Sequence, residues 1–136
     1  MMPIALVINA GAVAAAAFNL ICSGTITHDS INEHGRTEPY SYTYRIDLDK
    51  RKWCEAGCGA IHAIAELQPT FIQFEPTEDV NTVTEKRFYS GSIDRETGKQ
   101  QILMEIGRDA DIRIVKWEGQ CTRAPFSGFP KFETKF

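Results

Sequence analysis

Two cysteines four apart and a histidine four beyond the second, Cys54, Cys58 and His62 in the stretch WCEAGCGAIHAI, are the densest group of reactive side chains in the sequence. On a helix the four-residue steps would place two thiolates and an imidazole on one side, a donor set that suits Zn²⁺. Gly57 and Gly59 oppose a helix through the second cysteine, and the other histidines, His28 and His34, stand at no strong ligand spacing. Dithiol redox chemistry fits less well, because three residues separate the pair where the thioredoxin motif has two. A disulfide is favoured, since the intervening Glu-Ala-Gly can turn and bring the α-carbons within bridging range. Cys22 and Cys121 then remain for a second bridge, one that joins the first extended run to the last. Closing a loop of about a hundred residues is worth up to ~4–5 kcal/mol on the chain-entropy model. No metal or other cofactor is expected.

Elsewhere the reactive residues are scattered. His28-Asp29-Ser30 has the composition of a hydrolase triad, but neighbours on an extended chain point to opposite faces and cannot relay a proton. The pairs Asp47/Asp49 and Asp109/Asp111 could each turn two carboxylates to one side of a strand end, short of the oxygens Ca²⁺ needs. No GxSxG, HExxH, phosphate-cradling or dinucleotide glycine motif occurs. The aromatic residues are more suggestive. Tyr40, Tyr42 and Tyr44 share one face of an alternating run, where they either fill a core or line a small-molecule pocket with hydroxyls at its mouth. In the tail APFSGFPKFETKF, Phe126, Phe129, Phe132 and Phe136 are set among Pro125, Gly128 and Pro130, which forbid a regular element throughout. They are expected to plug an open barrel end, or else to form an exposed apolar hook.

The elements that must position these residues are strands. Tyr40 to Asp49 alternates apolar and polar side chains with period two. Runs of similar β-branched and aromatic bias lie at 18–27, 70–75, 82–94, 99–107 and 111–121. Arg95 to Gly98 and Gly107 to Ala110 mark tight reversals, and NEHGRTEP (32–39) reads as a polar loop. The basic triplet Lys50 to Lys52 reads as a solvated turn. Only GAIHAIAEL (59–67) has the pattern of a short helix, stopped by Pro69. The fold class is therefore all-β: an antiparallel meander of six to eight strands with at most one short helix, closing into a small barrel, with a β-sandwich as the alternative.

A chain of 136 residues, 43% hydrophobic and 24% charged, suits one packed domain. Fifteen basic against eighteen acidic residues give no positive field to hold a phosphate backbone, so no nucleic-acid partner is expected. Residues 1–27 contain no Lys, Arg, Asp or Glu, and the apolar run from Ile4 ends in Ala14-Ala15-Ala16-Ala17. That is the form of an export signal with an Ala-x-Ala cleavage site, although no basic residue precedes it. The expected division is a signal over 1–17, a disulfide-stapled β domain over 18–124 and a Phe-rich tail over 125–136. No stable membrane insertion is expected after cleavage, and the location is periplasmic or secreted.

Together, CSGT (22–25), YRIDL (44–48), WC (53–54), IDRETG (93–98), GQC (119–121) and PFSGFP (125–130) resemble short exported proteins of Gram-negative bacteria whose function is unknown. The resemblance spans nearly the whole chain after the signal, rests on structural segments and implies no activity. More distantly, the chain is similar to periplasmic lysozyme inhibitors in being small, exported, disulfide-bearing and barrel-like, without their inhibitory loop signature. The expectation is a non-enzymatic binding or structural module of the cell envelope whose partner is a protein or a small apolar ligand. A filled interior would favour the protein and an open aromatic one the ligand.

Overall fold

The computed structural model describes residues 15–132. All but the last three residues of the expected export signal, and Phe136 of the tail, lie outside the described residues. The described chain forms ten strands and no helix: β1 (Ala17–Asp29), β2 (Arg36–Asp47), β3 (Lys52–Glu55), β4 (His62–Ala63), β5 (Glu66–Leu67), β6 (Phe71–Gln73), β7 (Glu78–Asn81), β8 (Glu85–Asp94), β9 (Lys99–Arg108) and β10 (Asp111–Ala124). All pair antiparallel in one sheet ordered β4-β3-β2-β1-β10-β9-β8-β6-β5, and β7 shares the outer edge of β8 with β6. The all-β antiparallel expectation holds; the strand count exceeds the six to eight expected.

The sheet curls into an open half-barrel, which corrects the closed barrel. The reason lies in strand lengths. β1, β2, β8, β9 and β10 run for ten to fourteen residues, whereas β3 to β6 have only four, two, two and three. β3 meets β2 only from Tyr44 to Asp47, and β6 meets β8 only at Ile93 and Asp94. At that lower end the chain crosses from one side to the other: Ile64 N–H donates to the Arg51 carbonyl and Ala65 N–H to the Phe74 carbonyl. This crossing occupies 59–67 and corrects the short helix expected there. Buried Ile64 anchors it, and pairing on opposite sides of two successive dipeptides demands extended backbone. Above it, the edge of β2 from Arg36 to Thr43 pairs with β1 alone, and the concave face lies open.

NEHGRTEP divides. Its Gly35, at φ 69°, completes the turn, but Arg36 to Pro39 belong to β2, where Pro39 is tolerated because the strand's other edge is unpaired. The hairpin between β8 and β9 forms where expected: Asp94 Oδ1 accepts from the N–H groups of Glu96 and Thr97, and Gly98 takes φ 78°. These bonds hold the Asp94 carboxyl below its ordinary range.

Alternation along the strands sends Phe18, Leu20, Cys22 and Ile26 of β1 to the concave side, opposite Ile46, Tyr44, Tyr42 and Glu38 of β2. Phe18, Leu20, Ile46, Trp53, Ile64, Ile72 and Ile93 pack a lower core, and Ile26, Tyr40 and Val115 a smaller upper one. Cys22 and Cys121 lie directly opposite each other on β1 and β10, Cα atoms 4.0 Å apart, and are bonded across a separation of 99 residues. Gly24 and Gly119 face each other two residues along. A Cβ on Gly24 would strike the Glu118 carbonyl, and one on Gly119 would strike the Tyr40 hydroxyl.

Candidate functional site

The long strands leave an aromatic trough on the concave face where the short ones fail to cover it. Its cavity of about 220 Å³ is walled by Tyr42, Tyr44, Trp53, Phe74, Tyr89 and Trp117. Register explains the grouping. Tyr42 and Tyr44 alternate onto the concave side of β2, Ile46 beside them pairs with Trp53, and Met104 of β9 pairs with both Tyr89 and Val115. Phe74, just past β6, is fixed by its carbonyl's bond from Ala65 and stacks at 4.6 Å on Tyr44 and 4.7 Å on Trp53. Gly91 lies in the floor between Tyr89 and Ile93, where a Cβ would press on the Tyr89 hydroxyl at 2.9 Å and on Ile102 at 3.0 Å.

Behind the floor sits Gln100, 1% exposed and the sole buried polar side chain among the described residues. Its Oε1 accepts from the Tyr40 hydroxyl at 2.8 Å and its Nε2 donates to the Tyr44 hydroxyl at 3.1 Å. A buried amide is tolerated because both ends are met, and the bonds fix the angle of Tyr44 in the wall. Burial pushes the Tyr44 phenol up to about 12, although Gln100 opposes the shift by bonding it. Burial, then the Glu75 carboxylate, pushes the Tyr89 phenol up as well, and burial raises Tyr40. Tyr44 and Tyr89 are therefore neutral hydrogen-bonding groups at physiological pH. Trp53 is almost wholly buried and its Nε1–H finds no acceptor among the described residues.

Each described residue among those singled out in the sequence has a definite place. Tyr40, Tyr42 and Tyr44 do share a face, but their fates differ. Tyr40 is core, Tyr44 is both core and wall, and Tyr42, 45% exposed beside the open edge of β2, stands at the rim. Cys54 and Cys58 are bonded to each other with Cα atoms 5.1 Å apart, and His62 stacks on Trp53 at 4.9 Å. No free thiolate is left for zinc, and the described residues contain no cluster of three metal-ligating side chains. His28 Nε2 lies 3.6 Å from Glu38, while Asp29 Oδ1 accepts from Gly35 N–H, so the apparent triad serves two separate contacts.

The described part of the tail, 125–132, does not plug the barrel, which corrects that expectation for Phe126, Phe129 and Phe132. Asn19 and Arg45 point to the convex side of β1 and β2. Asn19 bonds Ser127, and the Arg45 guanidinium donates to the Gly128 carbonyl. Phe126 and Phe129 meet edge to face at 5.2 Å on that outer path, half-buried, and Phe132 is 53% exposed. Polar residues on the back of the sheet draw the tail there, a signal the phenylalanine spacing does not carry. Trp53, Phe74, Tyr89 and Trp117 escaped the sequence reading because they come from four separate elements, and only the curl of the sheet unites them. No family model, curated protein or solved structure matches the chain.

Proposed function

We propose that the protein is an exported, non-enzymatic binding module, periplasmic or secreted, that takes the apolar part of a small molecule into the aromatic trough. The observation that carries this reading is the open concave wall of six aromatic side chains, one of which, Tyr44, is held from behind by the bond between its hydroxyl and Gln100. Pockets for drug-sized ligands run to ~300–1,000 Å³, so a cavity of about 220 Å³ suits one ring or a short branched chain. Two disulfides, one joining first and last long strands, suit an oxidising compartment and hold the curl without a cofactor. Export is supported by the signal-like start together with these bridges. A non-enzymatic role fits a site whose buried titratable groups are phenols kept neutral by burial.

Both tryptophans of the chain line the trough, so intrinsic fluorescence reports on it directly. Titration with neopentylbenzene, a single ring with a compact branched group, is expected to change the emission saturably. Gly91→Leu, which projects a side chain between the Tyr89 hydroxyl and Ile102, is expected to abolish that change. Tyr42→Ala, at the exposed rim, is expected to weaken it without touching the core. Linear, unsaturable quenching, or a response unaltered by both variants, would refute the reading.

A further inference from the structure

The charge of the trough is one-sided. Among the described residues, Glu55 and Glu75 are its only ionisable residues besides the tyrosines; both are solvent-exposed, and no described Lys, Arg or His shares the lining. The rings around them are tilted and in contact with one another, Phe74 lying 4.7 Å from Trp53 as well as against Tyr44. Tyr42 and Tyr44 are inclined by 50° at 6.5 Å, Tyr44 and Trp53 by 64° at 6.0 Å, and Tyr44 and Phe74 by 32° at 4.6 Å. Aromatic faces carry negative quadrupole potential, and a hollow lined by several rings attracts a bulky, weakly hydrated cation. The upward displacement of the Tyr44 and Tyr89 phenols includes contributions from Glu55 and Glu75 respectively, so the field of both carboxylates reaches the wall.

We propose that the ligand class of this trough is an organic cation, a quaternary or multiply methylated ammonium group seated among Tyr42, Tyr44, Trp53 and Phe74 with Glu55 and Glu75 at its rim. This rests on the trough being a binding site, and deepens that reading by assigning the charge of what binds. Aliphatic primary ammonium ions hold their water more tightly and fit less well, and anions meet two carboxylates with no compensating base.

Three probes of nearly equal shape separate the possibilities: benzyltrimethylammonium, its neutral isostere neopentylbenzene, and benzylsulfonate. Each is titrated into the full chain with disulfides intact, following tryptophan emission and the ring-current shift of the ligand methyl protons. The expected result is that the cation binds about tenfold or more tighter than the isostere, with the sulfonate weakest. In the Glu55→Gln/Glu75→Gln double variant the preference should fall to about twofold; both sites are exposed and tolerate the exchange. Raising the salt concentration should weaken only the cation. Equal affinity for cation and isostere, or a preference for the sulfonate, would overturn the charge assignment and leave the trough standing. A cation preference that survives the double variant would overturn the role given to the carboxylates. No saturable binding of any of the three would overturn the trough reading itself.

Discussion

Replacing Gln100 with methionine tests whether the trough wall is held from behind. The exchange keeps length and volume but removes an acceptor from the Tyr40 hydroxyl and a donor from the Tyr44 hydroxyl, bonds of 2.8 and 3.1 Å. Each bond contributes about 0.5–1.5 kcal/mol, and a hydroxyl left unpaired in the interior costs ~1–3 kcal/mol. Tyr44 is 7% exposed and Tyr40 8%, so water can reach neither readily, and the two losses together come to roughly 2–4 kcal/mol. Against a whole-domain stability of ~5–15 kcal/mol that is a large fraction. Urea unfolding followed by tryptophan emission, with disulfides kept oxidised, should show the midpoint falling by roughly 1–2 M. A double-mutant cycle sharpens the test. Tyr44→Phe in the wild-type background strands the Gln100 Nε2–H and should destabilise. In the Gln100→Met background it removes an orphaned hydroxyl and should be neutral or stabilising. Additive effects, or a midpoint unmoved by Gln100→Met, would refute the claim that this amide positions the wall.

The two disulfides should differ in weight: for Cys22→Ala/Cys121→Ala the chain-entropy cost is ~4.7 kcal/mol, against about 2 kcal/mol for Cys54→Ala/Cys58→Ala, whose loop spans four residues, and equal losses in denaturant would contradict it. The Tyr44 phenol is raised by burial, so its folded form favours the neutral state. Its contribution is fully present below pH 10 and is lost as pH rises through about 12, making the alkaline unfolding limb of Tyr44→Phe shallower than that of wild type. Gly119→Ala should destabilise by more than ~2 kcal/mol, because the new methyl meets the Tyr40 hydroxyl and the Ser23 carbonyl with no room to move; thermal melting would check this, and an unchanged Tm would contradict it.

Strand content was written in the sequence because the long strands carry period-two alternation on their own: Tyr40, Tyr44 and Ile46 are buried in β2 and Phe18, Leu20 and Cys22 in β1. The pairing of Cys22 with Cys121 follows from their places on the first and last long strands, which lie side by side. What local pattern did not carry was closure. β4 and β5 are two residues each, too short for any periodicity to register, yet they decide that the lower end is crossed and the upper end left open. The helical look of 59–67 came from its alanines, and buried Ile64 with two long-range backbone bonds overrode it. The trough was half legible. Its tyrosines share one strand, but the remaining walls depend on which strands neighbour which, a property of topology. Gln100 gave no sign at all, since a glutamine in a strand of mixed polarity reads as solvent-facing until β9 is seen to turn it under Tyr40 and Tyr44.

The account as a whole stands on the concave aromatic wall being a place where a molecule sits. Crystals of the oxidised protein grown with benzyltrimethylammonium test this without inference. The expected result is electron density for the ligand between Tyr42, Tyr44, Trp53 and Phe74 at full occupancy, absent from crystals of Gly91→Leu. Well-defined density for those four side chains, with the ligand nowhere on the concave face, would contradict it.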